Sequence, residues 1–156
     1  MPRRRSGLRT RFRLPAPAGG RSPSGAFGCR GQHPDRYHGP CARLLRGHPG
    51  PLLVPTRVVT EVCRLMERRQ GSKAEAAFLG SFRAGLVPVD VTTEDLDRMS
   101  ELVAVYADLP LGVVDASVIA AAERLGLTEV ATLDRRHFTV VRPRHVDAFT
   151  LLPERL

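Results

Sequence analysis

The chain has 156 residues, a formal net charge of +8 and 42% hydrophobic residues. This length is enough for one domain with a buried core, and no apolar run approaches the roughly 20 residues that a membrane-spanning helix needs. The three cysteines are odd in number and form no disulfide framework, so we expect a cytoplasmic protein that does not contact membranes.

The positive charge is concentrated in the first 33 residues. This segment contains eight arginines and no acidic residue, whereas the rest of the chain carries 16 basic and 16 acidic residues. The excess positive charge therefore belongs to the leading segment. It gives no reason to expect that the rest of the chain binds nucleic acid.

Residues 1–33 are rich in Arg, Pro, Gly and Ser, and their few apolar residues show no periodicity. We expect this segment to be disordered, because it buries too little apolar surface to offset the entropy of ordering. Two other interpretations are a basic arm that contacts phosphates and a wrong-frame or misassigned N-terminus. The sequence thus divides into a disordered segment, 1–33, and a folded domain, 34–156.

Cys29, His33, His38 and Cys41 have spacings that loosely resemble those of a zinc site. Structural zinc sites usually pair close ligands across a longer connection, whereas glycines and prolines interrupt this single short run. We therefore favour incidental cysteines and histidines over a zinc site.

The first clear elements are a short buried strand at 52–54 and a helix from about Thr56 to Arg69. The apolar stripe of the helix has the spacing of one buried face. Glu61 lies at the border of that stripe, while Glu67 points the other way. Glu61 is therefore the acid of this helix best placed to face inward.

A capping-box pattern at Ser72 and Glu75 opens the next helix, and 86–91 is strand-like. Thr92 and Thr93 then open a further helix. We interpret the acids of that helix, such as Asp95, Asp97 and Glu101, as a solvated face.

The stretch from Leu111 to Phe138 contains two more candidate acids. Asp115 lies in the first turn of a helix that ends at Gly126, and Asp134 follows a short strand at 129–133, next to two arginines and His137. Strands that alternate with helices predict an α/β fold with a mainly parallel sheet, in which sites form at the carboxyl ends of the strands. Three carboxylates at that edge would suit Mg²⁺ or Mn²⁺.

Each of these residues also has an ordinary structural interpretation. Glu61 is compatible with a solvated helix position, Asp115 with a helix cap and Asp134 with a turn. For the side chains of Ser117 and Thr132 we favour structural roles over functional ones. We interpret His137 as a surface residue rather than a base.

Three separate blocks, VVTEVCRLMERR, VDASVIAAAERLGL and ATLDRRHF, occur in the order found in PIN-domain proteins of the VapC toxin type. The chain resembles that family over roughly 34–153. The resemblance implies an α/β/α sandwich, endoribonuclease activity that depends on Mg²⁺ or Mn²⁺, a homodimer, and a VapB-type antitoxin as partner. It also implies that Glu61, Asp115 and Asp134 hold the metal ion and act in catalysis.

The chain departs from the family at its beginning, where members have an apolar strand that ends in a metal-binding aspartate. No acid precedes Asp35, which lies in the loop-like run HPDRYHGP. We therefore expect the first strand and one carboxylate to be missing, and the protein to be a poor or inactive nuclease. The alternative function is a non-catalytic module that binds antitoxin or RNA. If the frame is wrong, another frame upstream of the Tyr37 codon should encode a strand followed by Asp-Thr or Asp-Ser.

Overall fold

The computed structural model of the chain describes residues 11–13, 43–44, 47 and 50–154. Its strands are β1 (Arg11–Arg13), β2 (Leu52–Pro55), β3 (Leu86–Val89), β4 (Glu129–Ala131) and β5 (Thr150–Leu152). Its helices are α1 (Thr56–Gln70), α2 (Ser72–Gly80), α3 (Thr93–Val105), α4 (Val113–Leu125) and α5 (Arg136–Val140), with a 3₁₀ turn at Ser81–Ala84.

The five strands form one parallel sheet in the order β3-β2-β1-β4-β5. Because all the strands run in the same direction, their carboxyl ends lie at one edge, from which α1 and the loop after β4 emerge. Helix α4 packs against α3, α1 and β2. The predicted α/β architecture with a parallel sheet is confirmed.

The central strand, β1, lies where the sequence predicted disorder and no strand. The prediction of a missing first strand is wrong, because Arg11 pairs with both Leu52 of β2 and Glu129 of β4. Periodicity does not reveal this strand, since three residues are too few to show an alternating pattern. The other residues of 1–33 lie outside the described part of the chain, and so do His38 and Cys41, the remaining members of the zinc-like pattern that we did not favour.

The core is continuous around α4, whose residues from Ala116 to Ala122 are all buried. Small residues predominate in this stretch, so the helix can approach its neighbours closely on more than one side. Gly126 ends the helix with a left-handed backbone, φ 65°, as the sequence predicted. In the described residues, no helix is both long and apolar enough to span a bilayer.

One acid of α3 is buried, contrary to our interpretation of a solvated face. The Asp95 carboxylate accepts a hydrogen bond from Thr92 N at 3.0 Å and also from Arg124 Nε, at 3.0 Å to Oδ1 and 3.1 Å to Oδ2. The Thr92 hydroxyl in turn accepts from Asp95 N, which completes a capping box. Asp95 therefore joins the start of α3 to the end of α4, a tertiary contact that helical periodicity cannot predict.

We expect Asp95→Asn to lower the free energy of unfolding by about 2–3 kcal/mol. The substitution removes the negative charge that pairs with the half-buried guanidinium of Arg124. Asp97→Asn is the matched control on the same helix, where the side chain is exposed and the change should stay within about 0.5 kcal/mol. Urea unfolding at pH 7 measures both values. Equal effects of the two substitutions would contradict this assignment.

Candidate functional site

Asp134 lies in a loop that its neighbours fix firmly. The buried hydroxyl of Thr132 donates to the carbonyl oxygen of Asp134 at 3.0 Å, and the guanidinium of Arg135 donates to the carbonyl oxygen of Pro153. Thr132 N also donates to the carbonyl oxygen of Leu152, so the loop is tied to β5. These contacts hold Asp134 just beyond the carboxyl end of β4.

Asp115 lies in the first turn of α4, at the same edge of the sheet. The helix begins after Gly112, whose carbonyl oxygen accepts from Ala116 N. Ser117 donates to the carbonyl oxygen of Val114 at 2.6 Å and so has the structural role that its sequence position suggested. The Asp115 side chain is 19% exposed, which leaves its carboxylate largely shielded from water but still accessible.

His137 joins the two acidic positions. Its Nδ1 lies 2.6 Å from Asp115 Oδ2, and its side chain is only 12% exposed. An ionised carboxylate only accepts hydrogen bonds, so an ionised Asp115 requires the proton of this contact to be on Nδ1. The interpretation of His137 as a surface residue is wrong: α5 begins directly after the Asp134 loop and turns the imidazole ring inward.

The two carboxylates are electrostatically different. Burial raises the pKa of Asp115, the nearby negative charge of Asp134 raises it further, and His137 partly offsets both effects. The pKa of Asp134 is lowered, chiefly by Arg136, whose Nε and Nη2 lie 2.9 Å and 2.6 Å from the two carboxylate oxygens. The charge of Asp134 therefore acts on Asp115, whereas Arg136 dominates the ionisation of Asp134.

Glu61 is not linked to this pair by any contact in the described residues. Its side chain is 43% exposed and forms an ion pair with Arg64 at 3.8 Å. No group of three His, Cys, Asp or Glu side chains within residues 11–13, 43–44, 47 and 50–154 is arranged to hold one metal ion. Packing of α1 against α4 places Glu61 on a neighbouring helix, and its role as a ligand stays a prediction.

The first family aspartate has no counterpart at the end of β1. This strand lies between β2 and β4, so its carboxyl end reaches the edge where Asp134 emerges. Leu14 follows it in the sequence, and Asp35, the first acid, lies outside the described residues. The carboxylates of Asp115 and Asp134 fit a hard divalent cation in ligand type, and the described residues before β2 include no acid that could add a third carboxylate.

Sequence reasoning found the two acids but missed the groups that bond to them. The spacing contained one usable signal, since His137 follows Asp134 by about one helical turn, and a turn can bring such residues to the same side. The contact of His137 with Asp115 is a tertiary one, so no local pattern indicates it.

Comparison with known proteins gives a consistent picture. The PIN domain family profile matches residues 32–142. Ribonuclease VapC26 of Mycobacterium tuberculosis (strain ATCC 25618 / H37Rv) is 32% identical over 103 residues, which cover 65% of this chain and 76% of that protein. The crystal structure of M. tuberculosis VapC20, described as a sarcin-ricin loop cleaving toxin, superposes with a TM-score of 0.61.

The VapC20 match covers 70% of this chain and 85% of the other at 21% identity, so it bears on the fold. The profile match spans well over half of the chain and includes Glu61, Asp115 and Asp134. The VapC26 match adds a relative of the same type across most of its length. The chain therefore belongs to the PIN-domain family and is of the VapC type.

Proposed function

We propose that this protein is the toxin of a toxin–antitoxin system, an endoribonuclease that cleaves RNA phosphodiester bonds with Mg²⁺ or Mn²⁺. The observation that carries the proposal is that consecutive residues of α5 contact two acids from different elements at the carboxyl edge of a parallel sheet: Arg136 contacts Asp134, and His137 contacts Asp115. Catalytic sites of α/β proteins form at this edge. The similarity to Ribonuclease VapC26 supports RNA as the substrate.

Asp115 and Asp134 would hold the cation, with Glu61 as a third carboxylate. When bound, the cation supplies an activated water and neutralises negative charge on the scissile phosphate. Arg136 begins α5 beside Asp134 with a side chain that is 78% exposed, so its guanidinium is accessible to a phosphate that approaches from solvent. His137 holds one oxygen of Asp115.

The electrostatics of Asp115 support a cation-binding role. A carboxyl whose pKa is raised by burial and by a second carboxylate is unfavourable in its ionised form when no cation is present. Such residues reduce the stability of the folded chain and are typical of functional sites. A divalent cation beside Asp115 and Asp134 would relieve both the repulsion and the lost solvation.

The partners follow from the same family membership. A VapB-type antitoxin would bind this protein, and we propose a homodimer in the cytoplasm. Two exposed apolar residues of α3, Leu96 and Val103, are seven positions apart and thus share a helix face, which supports a protein-binding role for this surface.

A second function, a non-catalytic module that binds antitoxin or RNA, is favoured by one specific observation. No acidic residue occurs before Asp35, so the carboxyl end of the central strand supplies no carboxylate to the site. Mg²⁺ is bound through few protein ligands, and the loss of one weakens binding substantially. We therefore expect slow cleavage, or none, from the chain with this N-terminus.

We expect Asp115→Asn and Asp134→Asn each to reduce the slow Mg²⁺-dependent cleavage of a fluorogenic RNA to the level seen with EDTA, because each removes a charged metal ligand. Glu67→Gln, on the exposed side of α1, is the matched control and should leave the rate unchanged. Cleavage that persists in both aspartate variants would refute the assigned site. Antitoxin binding by a wild-type chain that cleaves no RNA would instead establish the second function.

The raised pKa of Asp115 predicts that Asp115→Asn, which should abolish cleavage, stabilises the folded chain. Because the folded chain binds this proton more tightly than the unfolded chain, ionisation of Asp115 lowers the free energy of unfolding as the pH rises through the folded pKa. With EDTA present at pH 7, Asp115→Asn should therefore raise the melting temperature, and its advantage should vanish below the ordinary aspartate pKa of about 3.9.

Asp134→Asn supplies the contrast, because the pKa of Asp134 is lowered and its ionised form is favoured by folding. This substitution should lower the melting temperature slightly at pH 7, with a small effect because the ion pair with Arg136 is largely exposed. Scanning calorimetry of the two variants measures the signs, and a lower melting temperature for Asp115→Asn would contradict the electrostatic account.

A further inference from the structure

The Asp115 carboxylate has two oxygens in different situations. Oδ2 lies 2.6 Å from Nδ1 of His137. Within the described ranges, no hydrogen-bond donor reaches the other oxygen, Oδ1, and that oxygen is not among the buried polar atoms that lack a partner. One oxygen is therefore engaged by the protein and the other is left accessible for a ligand.

The imidazole of His137 is held rigidly enough to direct this carboxylate. The next residue, Phe138, is 2% exposed, and its ring packs edge-on against Phe149 with centroids 6.4 Å apart. The carbonyl oxygen of His137 accepts from Val141 N at 2.9 Å. Helix α5 is thus anchored at His137 and on its C-terminal side, and the side chain of His137, only 12% exposed, has little room to rotate away.

We infer that His137 is a positioning residue of the cation site: its Nδ1–H group binds Oδ2 of Asp115 and leaves Oδ1 as the oxygen that Asp115 offers to a divalent cation. This inference rests on the proposed function. Hydrogen bonds to the ligands of a metal restrict their rotation before the metal arrives, and the loss of such a bond commonly lowers metal affinity about 10- to 100-fold.

The competing interpretation is that the contact only stabilises the fold or blocks the cation. The two accounts make different predictions for residues that replace one ring nitrogen. The amide of asparagine lies close to the position of Nδ1, whereas the amide of glutamine extends to the position of Nε2. A positioning role through Nδ1 therefore requires that asparagine, and not glutamine, restore the function of the histidine.

The first measurement is Mn²⁺ affinity without RNA, by electron paramagnetic resonance of the free ion. We expect His137→Ala and His137→Gln to weaken binding about 10-fold or more and His137→Asn to stay within about threefold of the wild type. His145→Gln is the matched control, because His145 bonds through Nε2 to the carbonyl oxygen of Leu127 and does not contact Asp115. Unchanged or tighter binding by His137→Ala, or an equal loss in all three His137 variants, would overturn the inference.

The second measurement separates this inference from the metal-dependent function. Nitrogen-15 spectra of the ring should show the proton on Nδ1 of His137 in the metal-free wild type, and a shift towards the Nε2–H tautomer in Asp115→Ala. Failure of the wild type to bind Mn²⁺ would refute the metal-dependent function. The spectra would then still show whether the Nδ1–H group of His137 binds Asp115. An Nε2–H tautomer in the wild type would overturn the inference whatever the metal result.

Discussion

The central constraint of this structure is the burial of the Asp115 carboxylate at one edge of the sheet, close to a second carboxylate. Asp115 is partly removed from water, and the negative charge of Asp134 opposes its ionisation further. One short helix, α5, supplies both compensating groups, since Arg136 binds Asp134 and His137 binds Asp115. The local geometry of the site therefore depends on where α5 begins and on how it is anchored in the core.

The parallel sheet explains why these residues meet at all. Its five strands deliver their carboxyl ends to one edge, and the loop after β4 and the first turn of α4 both lie near that edge. Helix α4 is buried along most of its length, so Asp115 is carried by one of the most constrained elements of the chain. A rigid support of this kind is what a metal-binding carboxylate needs, because ligand geometry decides affinity.

A separate set of ion pairs fixes the helices away from the site. Arg98 binds Glu123 through Nε at 2.7 Å and Nη2 at 2.9 Å, and Glu123 also accepts from Arg144 N at 3.0 Å. Together with the pair of Asp95 and Arg124, these contacts join α3, α4 and the segment before β5. The ion pairs of the helical layer are thus separate from the contacts that Arg136 and His137 make with Asp134 and Asp115 at the sheet edge.

The sequence by itself determined the α/β class, the limits of α1 and α4 to within a residue or two, and the family, because periodicity, caps and motif order are local properties. It also placed Asp115 and Asp134 at the ends of regular elements. Only the tertiary structure revealed β1, since its arginines carry no apolar pattern and its pairing with β2 and β4 joins segments distant in sequence. The burial of Asp95 and the contact of His137 with Asp115 were likewise decided by packing between elements distant in sequence. Residue order fixes what each segment can form, but the distance between two side chains depends on how those segments pack.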